Sequence, residues 1–371
     1  MKFKSTNFSC QNCGAPLRFS PISKKLLCLF CDTTSSIKKS QTPIEEYSFN
    51  EALKFLKHHP QQEKEKKVIC NQCSATFTLK SQLFGSNCPY CNTPAIIAFV
   101  KEIDPKSLLP FQISQQQAQQ HFKKWIGSLW FTPSKLKNLF NGNDRLKGYY
   151  LPYWTYDSTT NSHYHGERGD VYYVEVERTV IVNGKKERRM VRESRIRWHS
   201  VNGELRNNFD DIIIGASKSI SHTILDNLNP WHTDQLVPFN HKYLLGFDSE
   251  EYTIGLDSGF EFAKIKMENI IRQDIKKRIG GDQQRIHHLK TLYTNTTYKS
   301  VLFPLWTAEF QWKKRSYHYA INGQTGKVTG EHPYSWFKIG FLFFIIISLF
   351  ATFTYVANKP DYIEKLNLYF S

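Results

Sequence analysis

Apolar positions along the chain change period several times, and each change predicts an element. Over residues 45–59, Tyr47, Ala52, Leu53, Phe55 and Leu56 recur at helical spacing, and residues 61–67 (QQEKEKK) then form a charged, solvated run. Ser114 has the chemistry of a helix cap, and Ala118, Phe122, Trp125, Ile126 and Leu129 follow on one helical face. Pro133 suits the first turn of a second helix that carries Leu136, Leu139 and Phe140. From Tyr149 the period becomes two. Residues 149–158, 161–166 and 170–182 read as strands, Asn183-Gly184 as a hairpin turn, and a return strand reaches about residue 201. Helical spacing resumes over 217–228 and again from Ser258, where Phe262, Ile265, Ile270, Ile275 and Ile279 lie along a helix that Gly280-Gly281 ends. Strands are expected once more over 298–312 and 317–321, with Asn322-Gly323 opening a turn. LPYWTYD at 151–157 echoes FPLWTAE at 303–309, and Tyr164-His165 and Tyr317-His318 follow twelve and thirteen residues after the respective prolines, which points to a duplicated β unit.

The last apolar pattern has no polar face. Twenty uncharged residues, 339–358, lie between Lys338 and Lys359. At about 1.5 Å per residue they span the roughly 30 Å hydrocarbon core of a bilayer. Trp336 and Tyr355 stand near the two ends, where interfacial aromatics belong. A buried core helix is the competing reading, and the missing polar face argues against it. No apolar segment follows the lysines of residues 1–6, so no secretory signal is expected. The pattern therefore predicts a tail-anchored protein.

The eight cysteines sharpen this picture most. Cys10, Cys13, Cys28 and Cys31 form C-x2-C-x14-C-x2-C, and Cys70, Cys73, Cys88 and Cys91 repeat that spacing sixty residues later. A C-x2-C pair puts two sulfurs on one tight turn, and two such turns separated by a hairpin close a tetrahedral zinc ribbon. Gly14 supplies conformational freedom after Cys13, and Pro89 fixes φ between Cys88 and Cys91. Two structural zinc ions are expected. Disulfides and a redox C-x-x-C are the alternatives. The lack of an export signal and the use of every cysteine in a matched quartet disfavour them. Closed four-thiolate sites supply folding energy and no open coordination position.

Charge sets the class of partner. The formal net charge is +16, which two four-thiolate zinc sites at −2 each would lower to about +12. Such an excess favours an anionic membrane surface or nucleic acid. Residues 185–197 hold Lys185, Lys186, Arg188, Arg189, Arg192, Arg195 and Arg197, either a solvated sheet face or a surface for lipid headgroups, RNA or DNA. Residues 1–100 carry 13 basic and 6 acidic residues. Loaded with zinc they keep a surplus of only about +3, which weakens a nucleic-acid role for the ribbons. Catalytic patterns are missing. Gly326-Lys327-Val328-Thr329 lacks the hydroxyl and the first glycine of a phosphate loop and reads as a turn. His163, His165, His287 and His288 could bind metal but read more simply as polar surface. Asp210-Asp211, and Glu167 with Asp170, read as loop carboxylates paired with arginines.

Taken together, CQNCGAPL at 10–17, CPYC at 88–91, YYLPYWTYD at 149–157, GERGD at 166–170, FDD at 209–211, GGDQQRI at 280–286, NGQTGK at 322–327 and the terminal span are similar to a bacterial family. Its members are membrane-anchored proteins with paired N-terminal zinc ribbons, at times labelled primosomal-replication or helicase-like. The resemblance covers nearly the whole chain and implies no established activity. It implies company with phage-shock-protein-A-like and flotillin-like membrane proteins, and so a scaffold in membrane stress.

The expected fold class is α+β, an aromatic-rich β body with helical inserts. The expected divisions are zinc ribbon 1 at 1–40, a helical and charged linker at 41–67, zinc ribbon 2 at 68–100, the body at 101–335, a transmembrane helix at 336–358 and a short tail at 359–371. The expected function is a zinc-ribbon scaffold on the cytosolic face of the inner membrane, recruiting a protein partner with anionic lipid as a further contact. Nucleic-acid binding in replication or transcription is the alternative. An enzyme within 149–330 comes third, because spacing alone assembles no nucleophile and base.

Overall fold

A computed structural model describes residues 2–4, 8–38, 42–58, 66–70, 72–79, 83–96, 103–139, 146–182 and 185–357. The Asn183-Gly184 turn, Phe140, most of the 61–67 run and the 359–371 tail lie outside the described residues. The fold is mixed α and β with sheet predominating. It divides into two compact units. One comprises 1–110, 149–226 and 232–304, and the other 111–148, 227–231 and 305–371.

The first unit is built on three very long strands, Lys147–Val182, Lys185–Gly215 and the 283–304 part of Gln283–Trp312. The first two pair antiparallel from Tyr153↔Gly215 out to Val182↔Lys185. The three separate strands expected over 149–182 are therefore one. The polar and glycine-rich breaks that suggested separate strands have packing causes. A side chain on Gly166 would strike the Arg285 backbone, and a Cβ on Gly169 would lie 2.9 Å from the Trp198 ring. The third strand begins at Gln283, well before the expected Tyr298. Its first half (QQRIHHLKTLYTNTT) is polar because only alternate positions meet the core.

Helix Leu256–Ile279 covers one face of this sheet, burying Leu256, Phe260, Ala263, Met267, Ile271, Ile275 and Ile279. They pack on Trp154, Tyr156, Tyr164, Phe209 and Ile214. Trp154 Nε1 donates to Ile254 O at 3.0 Å and the Tyr156 hydroxyl to Leu256 O at 2.7 Å, so both buried polar tips are satisfied. Lys276, Lys277 and Arg278 in the last turn oppose the helix dipole, and Gly280 (φ +66°) ends it. Phe262, Ile265 and Ile270, which lie along the same helix, are 41, 58 and 40% exposed. The helix has apolar residues on more than one side, and the close approach at Gly259 selects which side packs.

Both ribbons belong to this unit. Ribbon one docks through Phe19, whose amide donates to Leu245 O at 2.9 Å and whose ring meets Tyr243 edge-on. Ribbon two contributes Leu83–Asn87 and Pro94–Ile96 to the large sheet through Asp248–Glu250. Strand Lys2–Lys4 lies parallel to Lys66–Ile69. The expected linker is part of the body as well: Tyr47–Ser48 pairs with Thr297 and Tyr298, and Phe49 at the head of helix Phe49–His58 is buried in the core. Strand pairing thus joins the 83–96 and 47–48 segments to the large sheet, while the strands of residues 17–35 form a separate small sheet.

In the second unit, helix Gln115–Ser128 starts at Ser114 with a full capping box and buries Ala118, Phe122 and Ile126. Phe122 stacks on Tyr319, ring centroids 3.9 Å apart. Residues 305–312 pair antiparallel with Arg315–Asn322. Asn322 closes the following turn, accepting from the amides of Gln324 and Thr325, so the NGQTGK stretch is a turn. Helix Trp336–Ala357 ends the described chain. Its stretch Trp336–Tyr355 has a mean hydropathy of 2.1 with none of it buried, and is long and apolar enough to cross a membrane.

The packing at Gly259 gives a test with an unusual sign. A Cβ there would lie 2.7 Å from Trp154 Cδ1 and closer still to the Tyr156 hydroxyl. Glycine to alanine inside a helix ordinarily gains up to about 1 kcal/mol. Here Gly259→Ala is expected to cost about 2 kcal/mol through overpacking, read as a lower urea midpoint at unchanged slope.

Candidate metal centres and a buried lysine cluster

Each quartet is assembled from two knuckles of one local design. After the second cysteine of each pair the backbone turns left-handed, at Gly14 (φ +73°), Asp32 (+54°), Ser74 (+56°) and Asn92 (+57°). That residue's amide donates to the first cysteine's carbonyl: Gly14 to Cys10, Asp32 to Cys28, Ser74 to Cys70 and Asn92 to Cys88, all at 2.9–3.0 Å. The first cysteine's amide in turn donates to the residue five positions on, as Cys10 does to Ala15 and Cys88 to Thr93. Gly, Asp, Ser and Asn are small or tolerate this conformation. The residue after each second cysteine is thus a sequence signal for the knuckle at all four positions, Gly14 among them. Cys10, Cys28, Cys70 and Cys88 are buried, while Cys13 and Cys73 are exposed.

The sulfurs fit one ion per quartet. Within each, one ligand atom from every cysteine lies within 4.8 Å of the others. Cys10 and Cys31 are 3.6 Å apart, Cys13 and Cys28 3.4 Å, Cys70 and Cys91 3.6 Å, and Cys73 and Cys88 3.8 Å. A tetrahedron with metal–sulfur bonds of about 2.3 Å has edges of about 3.8 Å. A disulfide would need about 2.05 Å, and all eight cysteines are free. Both groups can therefore hold a metal ion.

The electrostatics point the same way. Thr33 sets its hydroxyl 3.1 Å from Cys31 Sγ and, with its amide, holds that thiol down to about 6. Cys91 is also held at about 6. Burial raises it most, but the Thr93 hydroxyl, 3.3 Å away, and amide outweigh burial. Cys13 and Cys73 are pushed up to about 12. At Cys13 the Ala15 amide, which lowers the value, is outweighed by the Cys31 and Cys28 sulfurs. At Cys73 the Ala75 amide is outweighed by burial and the Cys91 and Cys70 sulfurs. Four sulfurs this close cannot all be thiolates without a cation among them, and a divalent ion removes that conflict.

A second cluster corresponds to no sequence motif. Strand Lys185–Gly215 bulges where Asp210 and Asp211 oppose the single residue Asp157 between Tyr156↔Ile212 and Ser158↔Phe209. Asp211 takes φ +51° there, and its amide donates to the Asp157 carboxylate. Into this bulge reaches Lys299, only 7% exposed. Its Nζ lies 2.7 Å from Glu46, 3.0 Å from Asp211 and 3.4 Å from Asp157, and Thr297 donates to Glu46 and Asp157. Asp210 and Asp211 therefore lie on a strand and not in a loop, and the cation of this cluster is a lysine from a distant strand rather than an arginine. The Glu46, Asp157 and Asp210 carboxylates also come within 4.8 Å of one another, and Lys299 meets two of the three, Glu46 and Asp157.

Strand pairing brings the histidines near one another without making a ligand set. The His165 ring is 6.0 Å from that of His287 and 6.4 Å from that of His288. His163 meets Glu204 at 3.0 Å, and His287 meets Glu167 at 3.3 Å. Glu167 also faces Arg285, and Asp170 pairs with Arg168 on the same strand.

Comparison with known proteins adds one likeness. The chain is 27% identical over 350 residues to the uncharacterized protein YdjG of Bacillus subtilis (strain 168), covering 90% of this chain and 92% of that one. No family model and no solved structure matches.

Lys299 has a calculable role. Burial opposes its charge most, yet Glu46 and Asp211 hold its pKa above the ordinary lysine range. Glu46 is lowered chiefly by its bond from Lys299, whereas Asp157 is raised to about 6, mainly by burial. Lys299→Met leaves these carboxylates without a cation. The expected cost is about 3 kcal/mol, the low end for a buried pair because Glu46 is partly exposed. Without the cation the folded carboxylates bind protons more readily than the unfolded chain, so the variant gains stability as pH falls. The deficit should be largest above pH 6 and shrink toward pH 4 in denaturation midpoints compared with wild type.

Proposed function

We propose that the chain is a membrane-anchored zinc-ribbon scaffold that recruits a protein partner at the cytosolic face of the cell inner membrane. The observation that carries the reading is the outer surface of the two metal groups. Leu29 and Phe30, between Cys28 and Cys31, are 56 and 77% exposed, and Tyr90, between Cys88 and Cys91, is 70% exposed. Phe30 and Tyr90 hold the same position in the two quartets. Thiolates favour zinc, and a closed four-thiolate zinc site stiffens a surface without offering an open coordination position. Two rigid knuckles that each present an aromatic side chain suit docking to an apolar patch on a partner. The unburied helix Trp336–Ala357 supports a single C-terminal span. The need for reduced thiols supports a cytosolic location for the larger part of the chain. The family resemblance supports a phage-shock-protein-A-like or flotillin-like partner. The reading assigns no catalysis.

The test is crosslinking from native membranes with Phe30→Ser/Tyr90→Ser. The variant is expected to keep two equivalents of zinc and its membrane location while losing its crosslinked partner. An unchanged set of crosslinked proteins would sink the recruitment role.

One observation favours nucleic acid as a second reading. Among the described residues the third strand does not extend beyond Gly169, and the strands of 171–182 and 185–197 pair with each other alone as a two-stranded arm. The arm holds eight basic and four acidic residues. Arg192 lies over Tyr173 at 4.1 Å and Arg197 over Tyr172 at 4.9 Å. Such a ribbon has the width of a major-groove reader, and its arginines can meet phosphates. On this reading the full chain in detergent binds duplex DNA with an affinity that falls steeply with salt, and Arg192→Gln/Arg195→Gln lowers the salt slope by roughly 2. Undetectable or salt-insensitive binding decides against it.

A further inference from the structure

We propose that the second unit carries a binding site for the headgroup of an anionic phospholipid at the root of its apolar helix. The inference rests on the membrane-anchor reading and adds a ligand to it. An open groove of about 1270 Å³ lies beside the first turn of helix Trp336–Ala357. Its walls come from the start of helix Ser134–Leu139, the turn between residues 312 and 315, and the segment 330–338.

Depth comes first. The uncharged run begins at Ile339, and at about 1.5 Å per residue the lining residues 335–338 occupy the last 6 Å or so before it. A headgroup layer is about 5–7 Å thick on each side of the hydrocarbon core. The groove therefore sits at the level of lipid phosphates when the helix spans a bilayer. Trp336 and Phe337, 83 and 86% exposed at its mouth, and Trp130, 70% exposed nearby, are placed as interfacial aromatics.

Charge comes second. The groove is lined by Lys135, Lys313, Arg315 and Lys338 against one carboxylate, Glu331. Lys338 is a strut: its Nζ donates to Trp130 O at 3.1 Å and Thr132 O at 2.9 Å, and Ser335 N donates to Phe131 O at 2.7 Å. These bonds fix the wall of the groove to the helix. Among the described residues, Lys135, Lys313 and Arg315 have no carboxylate partner.

The turn itself is the third observation. Lys313 (φ +48°) and Lys314 (φ +65°) both take the left-handed conformation at the centre of a two-residue hairpin turn. Asn and Gly are the residues suited to such a turn. Here two lysines hold it despite the conformational cost, and Arg315 follows directly. Phosphodiester is the anion that matches separated cations at this depth, and the lipid rather than free phosphate is its source because the aromatic mouth continues into the hydrocarbon layer.

The test reconstitutes the full chain into phosphatidylcholine bilayers with an equal share of phosphatidylglycerol and counts the lipids retained on detergent extraction by native mass spectrometry. At about fivefold per cation near the surface, the wild type is expected to retain phosphatidylglycerol at least tenfold over phosphatidylcholine. Lys313→Gly/Arg315→Gln, which also relieves the turn, should bring the ratio near one, and Lys135→Gln, on a separate element, should lower it several-fold. A wild-type ratio near one, or a ratio unchanged in both variants, overturns the site while leaving the anchor intact. Retention abolished by millimolar inorganic phosphate would assign the groove to free phosphate instead and overturn the lipid. A chain that fails to enter phosphatidylcholine bilayers at all overturns the anchor reading, and the site with it.

Discussion

Strands of 30 to 36 residues expose two long faces, and in water such a sheet holds together only if one face is covered. Helix Leu256–Ile279 supplies that cover, and its fit depends on Gly259. With no side chain there, the helix comes down onto Trp154 and Tyr156, whose polar tips then reach the backbone carbonyls of Ile254 and Leu256 just before and at the helix start. Aromatic burial and hydrogen bonding thus converge on one short segment. Moving the helix outward by even one methyl would open the core and orphan two buried donors together, so close packing and polar satisfaction reinforce each other.

The Lys299 cluster serves the same sheet by different physics. A bulge at Asp157 leaves two residues of one strand opposite one of the next and turns acidic side chains into a partly buried space. Carboxylates gathered there repel one another until a cation arrives from the third strand, and Glu46 from the segment before helix Phe49–His58 completes the set. Such a cluster adds little net stability compared with an apolar plug. The register of the three strands is already set by the face buried under the helix, and the cluster is compatible with that register alone at the bulge.

These features differ in how far the sequence discloses them. The cysteine spacing, the capping box at Ser114 with Gln117, the Gly280-Gly281 stop and the apolar run from Ile339 are local, and each is visible within a few residues. The packed face of helix Leu256–Ile279 is not local. Its residues form two plausible apolar stripes, and only the shape of the sheet selects the one with Phe260 and Met267 over the one with Phe262 and Ile265. The strand from Gln283 is hidden for a related reason: with one face toward solvent, His287, His288 and Lys290 dilute the alternation below recognition. Lys299 and Asp157 are 142 residues apart, and no short-range pattern links them. The metal groups occupy the middle ground. Their ligands are evident from spacing, whereas the matching of Thr33 with Thr93 emerges only when the two ribbons are aligned on their last cysteines.

The two ribbons have the same spacing but different mechanical standing. Ribbon two's strand Leu83–Asn87 leads directly into Cys88 and pairs with Asp248–Glu250, which itself lies parallel to Tyr149 and Tyr150 at the start of the long strand. Its metal group is therefore continuous, through backbone hydrogen bonds, with the sheet that carries the core. Ribbon one touches the body through Phe19 and the stem of Arg18 against Gly246, and its strand Lys2–Lys4 pairs with Lys66–Ile69, but its Leu17–Ser20 and Lys25–Cys28 hairpin shares no strand with the large sheet. A metal ion held at the second group would thus be tied to the integrity of the large sheet, while one held at the first would order a smaller attached module. Equal ligand sets have unequal consequences because stability depends on what the closed loop is fastened to as well as on the metal–sulfur bonds. If the knuckle surfaces at Phe30 and Tyr90 both dock a partner, Tyr90 stands on the stiffer base, and the ordering cost of binding falls mainly on the side of Phe30.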